Sequence, residues 1–257
     1  MSRSKPLLEG GPPYVPHTPW GPIGALASVT AISLLCQYLL PLFLYDASPG
    51  VYVRASGDLG PPKLWGNSYS PSFVLLIQVA IFGLIWLASG MRGGDRRAVL
   101  SLKFPEGGLT RTVSIACLIW LLTVPTGFLV SVFFGHEPMQ LRPVNFNEAW
   151  LQRFFPAIEF VSLIVAAPLM EEFIFRGFLL SAMARSKIGF AGAGLVTSAL
   201  WASIHVSYPW YALSTIFVVG LFLSWAIWKT GSLWTCVLAH GLYNLEPALF
   251  QFIFVRG

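Results

Sequence analysis

Apolar residues run along this chain in long unbroken stretches, not in the amphipathic patterns of soluble helices. Seven stretches approach the ~20 residues that a helix needs to cross a bilayer. They cover roughly 22–45, 71–90, 112–134, 156–183, 190–206, 210–229 and 231–254. None alternates as a barrel strand does. A helix satisfies its own backbone hydrogen bonds in hydrocarbon. The pattern therefore predicts an all-α fold, a polytopic transmembrane helix bundle of about seven spans. The fourth stretch is the least regular, because it contains Glu171, Glu172 and Arg176, and Gly177 is a candidate break. The fifth is short.

Between these stretches the chain is polar and rich in Pro and Gly. Residues 1–21 read as a disordered tail without a signal-peptide cleavage pattern. The first three spans make an N-terminal group over residues 22–134, and residues 156–254 a C-terminal core. Residues 46–70 and 135–155 read as long loops. No internal repeat of 20–50 residues is visible.

Composition agrees with the pattern. Of 257 residues, 55% are hydrophobic and only 11% charged. A soluble domain carries about a quarter charged residues. The formal charge of +5 does not point to nucleic acid, because the Lys and Arg residues fall between apolar stretches, where topology explains them. With seven spans, ten of them lie on the tail's side and five on the other, with Arg176 inside a span. This asymmetry predicts a cytoplasmic N-terminus. The three cysteines, Cys36, Cys117 and Cys236, fall inside apolar stretches and read as small apolar helix residues, with no disulfide and no zinc cluster.

Ionisable groups inside spans are costly, so each is a functional candidate. Glu172 and Arg176 are four residues apart and share a helical face, so they can pair. As a pair they read better as an interhelical staple than as chemistry. Glu171 points about 100° away and lacks that partner. An unpaired carboxylate in an apolar layer is suited to general-base work. Trp201 and His205 share a face near the end of the fifth span. His240 and Asn244 share a face of the last, so both could donate toward one point, as an oxyanion hole requires, or form an interhelical polar pair. Counted at about 1.5 Å per residue, Glu171, His205, His240 and Asn244 fall in one layer roughly 14–23 Å deep.

The alternatives are weaker. No H-E-x-x-H helix, G-x-S-x-G elbow or nucleotide-binding glycine pattern is present. Ser198, Ser203 and Ser207 surround His205, but Ser203 faces elsewhere on the helix. A proton-coupled carrier would relay protons through Glu171 and the histidines, yet such folds carry an inverted repeat that is not seen.

The ordered set E-E-x-x-x-R, aromatic-x-x-x-H and H-x-x-x-N, over residues 156–250, resembles the CPBP family, the CAAX-protease and bacteriocin-processing family of glutamic intramembrane proteases. Glu-Glu-Phe-Ile-Phe-Arg-Gly-Phe is especially typical of it. The resemblance implies that Glu171 is the general base for a water held with His205. It implies that His240 and Asn244 stabilise the oxyanion, and that Glu172 and Arg176 support the site. Where the family usually has Phe, this chain has Trp201, which predicts a reshaped pocket wall with the chemistry kept. Two Glu and two His could ligate zinc, but Glu172 is committed to Arg176, and the expectation is no metal and no cofactor. The resemblance also implies a membrane-anchored, exported or lipidated protein or peptide as substrate. The expected location is the bacterial inner membrane, with no nucleic-acid partner. A non-catalytic immunity or scaffold protein, using the same polar residues as a lock, is the competing reading.

Overall fold

A computed structural model describes residues 14–41, 71–133, 157–206 and 208–250. The two expected long loops, Ser207 and the end of the last expected span lie outside them.

The described residues form helices and connecting turns, with no strand among them. Helix α1 (Pro22–Leu34) opens on a proline at its first position and runs into a π turn, Leu35–Leu39. Proline suits that position because the first helical N–H has no partner in any case. Helix α2 is Pro71–Ser89, α3 the short Arg96–Val99 and α4 Gly108–Phe133. Helix α5 runs through residues 157–184, α6 is Gly189–Ser203, α7 Trp210–Thr230 and α8 Leu233–Phe250. These are the eight helices of the described residues. Four segments, Pro22–Leu39, Ser72–Ser89, Gly108–Pro125 and Trp210–Thr230, are long and apolar enough to cross a membrane. Only 17–44% of each is buried within the protein. Leu26, Leu34, Leu76, Val79, Leu121 and Leu129 point outward. Such surface is stable against lipid and not against water.

Helix α5 is not cut at Gly177. The helix widens into π turns at Ser162–Ala166 and Phe173–Leu179 and continues to Ala184. A Cβ on Gly177 would lie 2.9 Å from Leu100 Cδ2 and 3.4 Å from Leu233 Cδ2. The residue is small because α3's end and α8 press on it. Helix α8 packs against α4, α5 and α7, and α6 packs against α5 and α7.

One end of the bundle is tied together by segments that carry no hydrophobic period. Tyr14, Thr18 and Trp20, expected in a disordered tail, are buried. Trp20 donates its indole N–H to the Ala88 carbonyl at 3.1 Å and meets Phe178 edge-on. Tyr14 meets Phe190 edge-on. The aromatic side chains, not the backbone pattern, anchor this stretch. At the same end Leu233 N–H donates to Ser101 O, and Trp234 Nε1 to Leu102 O. Gly231, at φ +63°, closes the turn from α7 into α8, its N–H returning to Ile227 O at 2.7 Å.

Candidate active site

The polar residues singled out in the sequence meet where α5, α6 and α8 pack. Glu171 and Glu172 end the short α-helical piece Ala167–Glu172 that lies between the two π turns of α5. Adjacent positions on a helix face different directions, so the two carboxylates take different partners.

Glu172 is fully buried and held by two donors at one oxygen. Arg176 Nη1 donates to Oε1 at 3.0 Å, and His240 Nδ1 lies 2.9 Å from the same atom. Arg176, also fully buried, donates its other terminal nitrogen to Gly220 O at 3.2 Å and lies over the Trp201 ring at 4.6 Å. Two buried charges survive together because each is paired and hydrogen-bonded. The expected Glu172–Arg176 pair is present and extends across the bundle to α8. A carboxylate oxygen bonded to Arg can only accept, so His240 Nδ1 carries the proton.

Glu171 is not without a partner. Trp201 Nε1 donates to its Oε2 at 2.5 Å, bridging α5 to α6. Packing these two helices side by side brings the indole to the carboxylate, which sequence spacing does not reveal. His240 Nε2 faces the same oxygen at 3.9 Å, too far for a direct hydrogen bond. One imidazole thus stands between the two carboxylates, bonded to Glu172 and turned toward Glu171.

His205 lies one turn past Trp201, just beyond the end of α6. Its Nδ1 is 2.9 Å from the Trp201 carbonyl. A carbonyl only accepts, so Nδ1 donates and Nε2 is left as a lone-pair acceptor in the neutral ring. The rings of His240, Trp201, His205 and Tyr208 follow one another at centroid distances of 5.0, 5.7 and 5.6 Å. Tyr208 was not legible as a site residue. It lies in the turn after α6, where burial pushes its phenol above the ordinary value and the nearby Glu171 charge pushes the same way. Its position three residues after His205 is the only sequence signal for it.

His240 and Asn244 do not aim at one point. Asn244 Nδ2 donates to Leu163 O at 3.0 Å, for a reason that lies in α5. In the π turn, Ala167 N–H reaches five residues back to Ser162 O. The next bond in that register would run from residue 168 to Leu163 O, but Pro168 has no N–H. The Asn244 amide supplies the missing donor. Ser203, exposed, bonds its own helix at Leu200 O, and Ser198 faces Ser224 in the α6–α7 contact. Neither forms a dyad with His205. Among the described residues no three His, Cys, Asp or Glu side chains are grouped to hold a metal ion.

A helical layer with one indole-bound carboxylate, one ion-paired carboxylate and an imidazole between them can move a proton and polarise a carbonyl. Comparison with known proteins finds a family match over this same layer. Residues 153–245 match the family model described as type II CAAX prenyl endopeptidase Rce1-like. The UPF0177 protein YxdF of Lactococcus lactis subsp. lactis (strain IL1403) is 26% identical over 81 residues. That alignment covers 32% of this chain and 43% of the relative, so the chain spans less than half the length of the curated relative it matches. No solved structure matches. All seven site residues fall inside the family match, and the chain therefore carries, in residues 153–245, an Rce1-like type II CAAX prenyl endopeptidase domain.

Proposed function

We propose that the chain is an intramembrane endopeptidase that hydrolyses a peptide bond near the terminus of a membrane-anchored, exported or lipidated protein, with water activated by Glu171. The observation that carries this reading is the Glu171 carboxylate, whose Oε2 accepts from the Trp201 indole at 2.5 Å and is faced by His240 Nε2 at 3.9 Å.

In this mechanism Glu171 takes a proton from water as the oxygen attacks the scissile carbonyl. His205 orients that water through its free Nε2. His240 donates from Nε2 to the oxyanion, and Glu172 at Nδ1 stabilises the imidazolium that this requires, much as a buried carboxylate orients a catalytic histidine elsewhere. The proton on Glu171 then passes to the leaving amine. Arg176 pairs with Glu172 and holds its carboxylate against His240. Asn244 spends one amide N–H on Leu163 O, so only its second N–H is left to reach the oxyanion. The bonded N–H holds the helix wall. No cofactor enters this scheme.

The domain sits within about seven spans, of which 22–134 supply the N-terminal helices and 156–254 the core. Arg92, Arg96, Arg97, Lys103, Arg111, Arg185, Lys187 and Lys229 all lie at the end of the bundle that binds the N-terminal segment. That clustering supports a cytoplasmic N-terminus; the membrane proposed is the bacterial inner membrane.

A second reading has its own support. Glu172, Arg176, His240 and Asn244 each bond another helix or its backbone, as a non-catalytic immunity or scaffold protein would use them. The two readings separate on Glu171→Gln, which keeps shape and removes the base. The chain would be expressed at matched levels in membranes and supplied with a farnesylated peptide ending in Cys-aliphatic-aliphatic-X. In parallel, the termini of all membrane proteins would be mapped. The protease reading expects termini and cleavage that vanish with Glu171→Gln while the protein stays folded. Cleavage that persists in Glu171→Gln would remove the general-base assignment. If wild type and variant are equally inert and no terminus changes, the lock reading stands.

A further inference from the structure

An open cavity of ≈ 360 Å³ lies at the end of α2, lined by Trp86, Gly90, Gly94, Asp95, Arg96 and Arg97. It shares no lining residue with the Glu171 layer and plays no part in the hydrolysis described above. Its chemistry is lopsided. Residues 91–103 carry four cations, Arg92, Arg96, Arg97 and Lys103, against the one carboxylate of Asp95. That carboxylate is already engaged, accepting from the Arg97 backbone N–H at 3.0 Å.

Arg96 is held in place before any ligand arrives. Its guanidinium stands 5.5 Å from the centre of the Trp86 ring. A Cβ on Gly90 would overlap Arg96 Nε, so only glycine leaves room for this arrangement. Arg96 Nε is nevertheless buried without a hydrogen-bond partner. Nε is packed against Gly90, so the terminal guanidinium nitrogens, which make no hydrogen bond among the described residues, are the donors left for a ligand, and Arg binds phosphate best because its donors are planar and paired. Arg97 is exposed on the same rim.

The surroundings specify which phosphate. The segment Ser72–Ser89 is long and apolar enough to span a membrane, so Gly90–Arg97 falls at the depth of lipid headgroups. Leu87 and Met91, beside the cavity, are 54% and 57% exposed. A free anion has no use for such neighbours, whereas acyl chains do. Arg92 lies 4.4 Å from the centre of the Trp20 ring, so the basic and aromatic belt continues past the cavity, as at an anionic bilayer surface. We infer that this cavity binds the phosphodiester headgroup of an anionic phospholipid, with Arg96 and Arg97 on the phosphate and the acyl chains along Leu87 and Met91. The site locks the end of α2 to α3, whatever reaction the chain catalyses.

The test uses the purified full chain in neutral detergent, with unfolding followed by tryptophan fluorescence. Phosphatidylglycerol is expected to raise the midpoint by at least about 3 °C more than phosphatidylcholine does. Arg96→Gln/Arg97→Gln should abolish that difference, while Arg185→Gln/Lys187→Gln, another basic turn, should keep it. Should the first pair fail to fold, Arg97→Gln alone, at an exposed position, should still at least halve the effect. Equal responses to the two lipids, or an undiminished response in the Arg97→Gln protein, would overturn the inference. An equal shift from inorganic phosphate would assign the cavity to a free anion and overturn the lipid reading.

Discussion

The Trp201 indole N–H donates to Glu171 Oε2 across the α5–α6 contact, thirty residues apart in sequence. The aromatic at this position is therefore more than a wall. Trp has a donor where Phe, usual in the resembling family, has none. Trp201→Phe keeps the ring and removes the hydrogen bond. Hydrogen bonds to charged groups contribute about 1.5–3 kcal/mol. Cleavage of the farnesylated probe should fall roughly 10- to 100-fold, with helix content by circular dichroism unchanged. A variant that cleaves at the wild-type rate would return Trp201 to a packing role.

Arg176 is the structural counterpart. It neutralises Glu172, caps the Gly220 carbonyl and lies over Trp201, all with no exposed surface. Removing one partner of a buried pair strands the other charge, at a cost of about 3–5 kcal/mol. Arg176→Met should therefore destabilise strongly, read as a lowered thermal midpoint in detergent. Arg176→Met/Glu172→Gln should recover much of the loss, because the stranded charge is gone. If the double variant is no better than the single one, the pair is not the source of the cost.

Much of this was legible in the chain itself. Long apolar stretches announced helices, and the four-residue spacing announced the Glu172–Arg176 pair. What stayed hidden depended on how helices approach one another. Glu171 looked partnerless because its donor sits on α6. Asn244 looked free because its acceptor is a carbonyl exposed by Pro168 on α5. Tyr14 and Trp20 looked like a tail because periodicity cannot flag a segment held by two aromatic side chains. The short helix α3 escaped notice for a similar reason. Val99 and Leu100 bury completely, but four residues are too few to show a period.

Tyr14 and Tyr208, both outside the spans, give the fold an alkaline limit. Burial pushes both phenols above the ordinary 10.0, helped at Tyr14 by the nearby Cys236 and at Tyr208 by Glu171. A raised folded value means that the neutral form is favoured in the fold. The stabilisation is intact below about pH 10 and is lost as pH rises past it, when the unfolded chain ionises first. Tyr14 Oη is buried without a hydrogen-bond partner, so its hydroxyl contributes little in return. Tyr14→Phe should raise stability by about 1 kcal/mol at neutral pH and flatten the loss between pH 10 and 11. Thermal unfolding across that range checks both parts. A destabilised Tyr14→Phe protein would mean the hydroxyl has a partner in solution.

The Asn244–Leu163 bond exists because Pro168 cannot donate, and this dependence can be measured as a coupling. Asn244→Leu leaves the part-buried Leu163 carbonyl unpaired, at about 1–3 kcal/mol. Pro168→Ala restores an N–H that can reach Leu163 O in the π register, or Ile164 O if the helix tightens by one residue. In that background the carbonyl has a second donor, so Asn244→Leu should cost roughly half as much or less, a coupling of about 0.5–1.5 kcal/mol. Thermal midpoints of the four proteins give the cycle. If the costs simply add, Asn244 does not serve the gap left by Pro168. Its amide would then be free to act on substrate, and Asn244→Leu should suppress cleavage with little effect on stability. If the coupling appears and cleavage survives Asn244→Leu, the amide belongs to the helix wall, and His240 alone carries the oxyanion.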